Sequence, residues 1–126
     1  MSIVILDDYQ DAVRKLACAA RLEAYPAKVY TNTVKGLSQL SVRLRDAEVL
    51  VLIRERTHIT RQLIEKLQRL RMISQTGRAG AHIDVAACTA RGILVTHTPD
   101  VLTESTADFG FALMMAAARR VTESER

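Results

Sequence analysis

Apolar residues are concentrated in five short runs, at positions 3–6, 27–30, 48–53, 72–74 and 93–95. Within each run the apolar residues are mostly consecutive rather than alternating with polar ones. Consecutive apolar residues are typical of strands that are buried on both faces of a parallel sheet. The pattern therefore predicts five short strands.

The stretches between these runs have helical spacing. Residues 9–20 place Val13, Leu16 and Ala20 on one face, and a helix is predicted there. Thr33 is a candidate cap for a helix in which Leu37, Leu40 and Leu44 recur. A further helix with an inner stripe of leucine and isoleucine is predicted to begin at one of two threonines, Thr57 or Thr60.

Two helices are predicted in the last third of the chain. Asp84 is the candidate cap of a helix over residues 85–90, and Gly92 follows its end. Ser105 and Asp108 fit a capping box for a last helix that runs towards Arg120.

Strands and helices thus alternate along the 126 residues, which are enough for one domain with a real core. This alternation favours an open α/β domain with a parallel sheet and helices on both faces. For five strands we expect the flavodoxin-like strand order 2-1-3-4-5.

The last helix is apolar almost all the way round over residues 109–118, FGFALMMAAA. A helix on the surface of a lone domain normally has one polar face. We therefore expect this helix to pack against another domain or another subunit. The alternative is a central helix buried inside this domain.

Charge and composition favour a small anionic ligand. The net charge is +4, the arginines are scattered rather than clustered, and aromatic residues make up only 4% of the chain. Without a stacking platform for bases, nucleic-acid binding is poorly supported. No run is long enough to span a bilayer, and no secretory leader is recognisable, so we expect a cytoplasmic protein without membrane contact.

Cysteine and histidine give no sign of a metal site. Cys18 and Cys88 lie in alanine-rich stretches, and we expect two buried, reduced thiols, with a disulfide or redox pair as the alternative. The three histidines have no ligand-like spacing with them. His82 and His97 are therefore expected to be structural.

Ligands of open α/β sheets bind beyond the carboxyl ends of the strands. Asp7 and Asp8 follow the first strand, but no acceptor aspartate follows the third and no lysine follows the fifth, which argues against a phosphorylation receiver. The segment after strand one also lacks the hydroxyl- and glycine-rich phosphate loop of a flavodoxin. We expect Asp7 and Asp8 to be solvated or capping residues, and Thr57 and Thr60 to be helix caps.

The loop after strand four contains Gly77 and Gly80 but does not match the Gly-x-Gly-x-x-Gly fingerprint of dinucleotide-binding loops. Its backbone N–H groups can still face a small anion. Arg54, Arg56 and Arg78 lie at neighbouring strand ends, and a guanidinium binds carboxylate or phosphate in a bidentate manner. The alternative for each arginine is a surface charge without a role.

Three segments resemble the D-isomer-specific 2-hydroxyacid dehydrogenases: VLIRERTHIT, ISQTGRAGAHIDVAACTARGILV and TPDVLTESTADFGFALMMAAARRV. Within that family the opening IVILDDYQDAVRKL is most similar to the phosphoglycerate dehydrogenase-like members. The resemblance covers essentially the whole chain, with the motifs in the expected order.

The resemblance implies a substrate domain over residues 1–102 and an interdomain connecting helix over 103–126. The Rossmann domain that binds NAD or NADP in the parent, and the family's catalytic Arg, Glu and His, are absent from this chain. The chain alone is therefore expected to be inactive and to bind no cofactor.

The resemblance also assigns roles to individual residues. Arg54 and Arg56 match a loop that helps to bind the anionic 2-hydroxy or 2-oxo acid. Gly77, Arg78 and Ala79 stand where many members have Gly-Val-Gly, in the loop whose amides hold the substrate carboxylate. Thr106 matches a residue near the cofactor.

Three hypotheses follow. In the first, the chain is the substrate-binding portion of a dehydrogenase whose parent is a homodimer. The missing domain or a second subunit then covers the helix around Phe109, Leu113 and Met114. In the second, the chain is a free-standing, non-catalytic anion or metabolite binder that dimerises through this helix. The third hypothesis is a regulatory partner of a full-length dehydrogenase.

Overall fold

The computed structural model describes residues 1–123 and contains one five-stranded sheet. All strand pairs are parallel, and the strand order is β2-β1-β3-β4-β5. The predicted fold class and strand order are therefore confirmed. The strands are β1 Ile3–Leu6, β2 Ala27–Val29, β3 Val49–Ile53, β4 Met72–Thr76 and β5 Leu94–His97.

Four α-helices accompany the sheet: α1 Leu37–Leu44, α2 Arg61–Lys66, α3 Val85–Ala90 and α4 Thr103–Ala118. Short 3-10 helices occur at Val13–Lys15, Ala17–Leu22 and Val121–Glu123. Residues 124–126, the end of the predicted connecting segment, lie outside the described residues.

The main core lies between one face of the sheet and the helices α1, α2 and α3, which pack side by side. Alternate residues of β3 and β4 are fully buried there, for example Leu50, Leu52 and Ile73. On the opposite face, Ile5 and Val51 line a cavity together with residues of the first two 3-10 helices. That face is therefore less completely covered than the face below the α-helices.

The predicted α-helix over residues 9–20 is wrong. Two 3-10 helices replace it, because Leu16 between them has extended backbone angles of φ −71° and ψ 141°. The carboxylate of Asp8 accepts hydrogen bonds from the amides of Ala12 (3.0 Å) and Val13 (2.9 Å). Leu16, expected on the inner face, is 52% exposed.

Helix starts were predicted with mixed success. Thr60 is the N-cap of α2, and Asp84 caps α3 through a 2.8 Å hydrogen bond from the amide of Ala87. The cap of α1 is Gly36, not Thr33, because the chain is still irregular up to that glycine. The capping box at Ser105 is also wrong, since α4 already begins at Thr103 after Leu102.

The two cysteines differ in their surroundings. Cys88 is fully buried, as expected, and burial raises the pKa of its thiol. Cys18 is exposed, which contradicts the expectation that both thiols are buried, because its segment lies on the surface in a 3-10 helix rather than against the core. Neither forms a disulfide.

Candidate functional site

The carboxyl ends of β3, β4 and β5 lie side by side because these strands are parallel and adjacent. In the register of the sheet, Ile53 is opposite Thr76, and Gln75 is opposite His97. The residues that follow each strand therefore meet along a single edge. The first turns of α4 lie beside the same edge.

An open cleft of about 1030 Å³ lies at this edge. It brings together four of the residues predicted for the site, namely Arg54, Gly77, Arg78 and Thr106. Ala79 and Arg56 do not line it. The complete lining consists of Ile53, Arg54, Thr76, Gly77, Arg78, Thr98, Asp100, Val101, Leu102, Thr103, Thr106 and Ala107.

The Gly77–Ala79 loop is held by the last residue of β5 and the residue that follows it. The amide of Gly77 donates to the hydroxyl of Thr98 (2.8 Å), and the amide of Ala79 donates to Nδ1 of His97 (3.4 Å). Gly77 has a φ of +91°, a backbone conformation that favours glycine. A carboxylate that binds these two amides has to replace both side chains as acceptors.

Arg78 lies at the rim of the cleft. Its guanidinium donates to the Asp100 carboxylate at 3.1 Å, and both side chains are about two-thirds exposed (71% and 67%). An exposed ion pair of this kind contributes little to stability. The guanidinium can therefore exchange Asp100 for an incoming anion at low cost.

Arg54 lies in the wall of the cleft and has a positive φ of +58°. Its backbone is fixed by two side chains of β4. The amide of Arg54 donates to the hydroxyl of Thr76 (3.4 Å), and its carbonyl accepts from Nε2 of Gln75 (3.0 Å). The guanidinium forms no ion pair within the described residues, and it is available to a ligand.

Arg56 points to a different part of the edge. Its guanidinium lies 4.3 Å from the centre of the Tyr9 ring and donates to the backbone carbonyl of Asp7 (2.5 Å). It lines a second cavity, of about 440 Å³, to which Arg54 and Thr76 also contribute. Arg54 therefore stands between the two cavities.

Asp7 and Asp8 are both buried, which corrects the expectation that they are solvated. Asp8 is a capping residue, as described above. The Asp7 carboxylate accepts a 2.5 Å hydrogen bond from the hydroxyl of Thr57. Thr57 is therefore not a helix cap but ties the end of β3 to the end of β1.

Sequence analysis missed Gln75 as a site residue. This side chain is only 1% exposed, and its Nε2 donates to the carbonyls of Arg54 (3.0 Å) and Thr76 (2.8 Å). Its Oε1 faces Nε2 of His82 at 2.9 Å. A glutamine at a buried strand position was the available signal, because a buried amide requires several partners.

His82 is structural, as predicted, and 5% exposed. Burial lowers the pKa of its imidazole; the nearby Glu55 opposes this shift, and His58 adds to it. Its Nδ1 has no hydrogen-bond partner among residues 1–123. The ring is therefore neutral at neutral pH, and the bond to Gln75 assigns its proton to Nε2.

Two further classes of site find no support in the part of the chain that the structure describes. No group of three or more His, Cys, Asp or Glu side chains there is arranged to hold a metal ion. Among the same residues, no helix combines the length and the apolar character needed to cross a membrane.

The fold is an open α/β domain with an arginine-lined cleft at the carboxyl ends of its strands. The sequence model of the D-isomer specific 2-hydroxyacid dehydrogenase catalytic domain matches residues 3–124. The chain belongs to this family.

The relatives have longer chains. A glyoxylate reductase of Korarchaeum cryptofilum is 48% identical over 84 residues, which cover 67% of this chain and 25% of the relative. The chain thus spans about a quarter of the length of the curated relatives that it matches.

Solved structures share the fold. A phosphoglycerate oxidoreductase of Vibrio cholerae matches with a TM-score of 0.83 and 40% identity, covering 93% of this chain and 37% of that one. A D-lactate dehydrogenase of Aquifex aeolicus, solved with NAD and lactic acid, has a TM-score of 0.76 and 27% identity. The match covers 98% of this chain and 35% of the Aquifex aeolicus chain.

Proposed function

We propose that this chain is the substrate-binding portion of an NAD(P)-dependent D-2-hydroxyacid dehydrogenase. The parent reaction is reversible hydride transfer between a nicotinamide and a 2-hydroxy or 2-oxo acid. The observation that carries the proposal is the cleft of about 1030 Å³ in which Arg54, Gly77, Arg78 and Thr106 meet. Family membership and the names of the relatives support it.

Each site residue has a physical role in this proposal. The guanidinium groups of Arg54 and Arg78 attract and orient the carboxylate of the acid, because bidentate pairing with a carboxylate is strong and directional. The amides of Gly77 and Ala79 then donate to the same anion, which replaces their present acceptors, Thr98 and His97. Arg56 stabilises the loop through Tyr9 and Asp7, and it adds positive charge beside the site.

Thr106 is the residue proposed for the cofactor side of the cleft. Its position on the first turns of α4 fits, because it lines the same cleft as Arg54 and Gly77. When bound, the nicotinamide supplies or accepts the hydride. This chain contributes the anion site and one wall, and the acid/base group that the chemistry needs lies outside it. Residues 1–102 then form the substrate domain, and 103–126 the connecting segment.

The second part of the proposal concerns α4. Phe109, Leu113 and Met114 are 66%, 55% and 68% exposed, and none of the α4 side chains in the described residues is buried. A helix of this kind is covered by the missing Rossmann domain or by a second subunit in a homodimer. The same observation favours the second candidate function, a free-standing anion-binding domain that dimerises through α4.

A cytoplasmic location belongs to the same proposal. Both cysteines are free in the structure, which suits a reducing compartment.

The test is an assay of the purified 126-residue chain. With NADH or NADPH and either glyoxylate or the oxidised form of a 3-phospho-2-hydroxy acid, we expect no turnover. We expect the same acids to bind, as followed by NMR shifts of Gly77, Arg78 and Ala79. Turnover that is lost in Arg54→Ala would contradict the claim of inactivity. Absence of any binding would contradict the proposed site.

A further inference from the structure

The backbone of Arg54 needs an external restraint. Its φ of +58° lies in the left-handed region, which a non-glycine residue occupies only with backbone strain. Asparagine and aspartate tolerate this region through hydrogen bonds of their own short side chains, which arginine lacks. The surrounding structure therefore has to hold Arg54 in this conformation.

Two consecutive side chains of β4 provide that restraint. Thr76 accepts from the amide of Arg54 (3.4 Å) and donates to the carbonyl of Leu52 (3.0 Å). Gln75 donates to the carbonyl of Arg54 (3.0 Å). Both backbone polar groups of Arg54 are thus fixed by the neighbouring strand, on either side of its left-handed turn.

The orientation of the Gln75 amide is fixed in turn. Its second N–H donates to the carbonyl of Thr76 (2.8 Å), and its Oε1 accepts from Nε2 of His82 (2.9 Å). A flipped amide would place its oxygen against two carbonyl oxygens and its N–H₂ against the N–H of the imidazole. His82 therefore locks Gln75 in the orientation that holds Arg54.

We infer that Gln75 is a positioning residue that sets the anion affinity of the cleft by holding the backbone of Arg54, with His82 fixing the amide of Gln75. The inference rests on the proposed function for the role of the Arg54 guanidinium. Gln75 itself does not line the cleft, so its effect on a ligand passes through the cleft residues that it holds, Arg54 and Thr76.

The test compares Gln75→Met with the wild-type 126-residue chain, using glyoxylate as the probe and NMR titration as the readout. Methionine keeps the length and neutrality of the side chain but removes both donors. We expect glyoxylate to bind about tenfold more weakly, as for the loss of one or two hydrogen bonds that hold a charged group. The φ of Arg54, read from backbone couplings and shifts, is expected to leave the left-handed region.

The matched control is Gln68→Met. Gln68 is an exposed glutamine whose Nε2 donates only to the nearby carbonyl of Glu65 (2.7 Å), so affinity and the φ of Arg54 should not change. If Gln75→Met does not fold, Gln75→Leu replaces it. Leucine is also neutral and has no donor for the carbonyl of Arg54.

A double-mutant cycle separates positioning from a general loss of structure. In an Arg54→Ala background, Gln75→Met should weaken glyoxylate binding no further. If Arg54→Ala weakens binding and Gln75→Met does not, the inference is wrong and the proposed function stands. If wild type does not bind, or if Arg54→Ala binds as well as wild type, the proposed function itself is wrong.

Discussion

At the scale of single residues, the site depends on buried polar side chains that hydrogen-bond between neighbouring segments. Gln75 joins the backbone of Arg54, directly after β3, to the imidazole of His82, and Asp7 accepts from Thr57. Removing one partner of a buried hydrogen bond leaves the other group desolvated, which costs about 1–3 kcal/mol. These hydrogen bonds therefore hold the backbone at the strand ends in place, although the same ends border the open cleft.

His82 predicts a pH dependence of stability. Burial lowers the pKa of its imidazole in the folded chain below the ordinary value of about 6.5. The unfolded chain therefore binds a proton first, and the free energy of unfolding decreases as the pH falls through about 6.5 towards the pKa of the folded state. Urea denaturation between about pH 5.5 and 7.5 measures this decrease.

In His82→Asn the decrease over this interval should be smaller than in wild type. Glu55 and His58 are the charged and titratable groups near the ring, and the variant retains them. An identical dependence of stability on pH in His82→Asn and wild type would contradict the claim that His82 causes the decrease.

The sequence identified the residues with charge but not those that position them. Arg54, Gly77, Arg78 and Thr106 were predicted from strand ends and from resemblance, and the structure brings them to one cleft. Ala79 and Arg56 were predicted with them but do not line that cleft. Gln75 was missed because its role depends on the register between β3 and β4, which local sequence does not encode.

At the scale of elements, all five strands were predicted because each contains a short apolar run. The ends of β4 and β5 were missed, since β4 continues to Thr76 and β5 to His97 through polar residues. The segment between β1 and β2 was predicted badly, since its helical spacing is overridden by the side chain of Asp8 and by the extended backbone at Leu16. Two of the four predicted helix caps were correct. Thr60 and Asp84 are the caps of α2 and α3, as predicted. Thr33 and Ser105 are not caps, because α1 begins after Gly36 and α4 begins at Thr103.

The cap of α3 gives a quantitative prediction. Asp84→Ala removes the acceptor for the amide of Ala87 and should lower the free energy of unfolding by about 1 kcal/mol in urea denaturation. Asp84→Asn should retain most of the stability, because the amide oxygen of asparagine still accepts from the amide of Ala87. Asp46→Ala serves as the control: it removes only exposed ion pairs with Arg45 and Arg69, at a cost below about 0.5 kcal/mol.

At the scale of the whole molecule, the sheet and α4 behave as separate parts. The main core draws its residues from Val4 to Ile93, and α4 contributes none of them. An exposed apolar surface such as that of α4 normally marks an interaction site. Stability and association should therefore respond to different substitutions.

The isolated chain is expected to self-associate through α4, with a sedimentation coefficient that rises with concentration. The double variant Phe109→Ser and Leu113→Ser should reduce this association and leave the urea midpoint unchanged. Val42→Ser, which removes an exposed apolar side chain from α1 and leaves α4 unchanged, should leave association as in wild type. A wild-type chain that stays monomeric at all concentrations would contradict this role of α4.

The early end of the core also has a consequence for biosynthesis. Domains tend to fold as units while a chain is being made, beginning from the N-terminus. Because its last buried residue is Ile93 and only Val95 packs against it further along the described chain, the main core can close while α4 is still emerging from the ribosome. The apolar helix then emerges after the core has closed, so its exposed apolar side chains are presented by a chain whose main core is already formed.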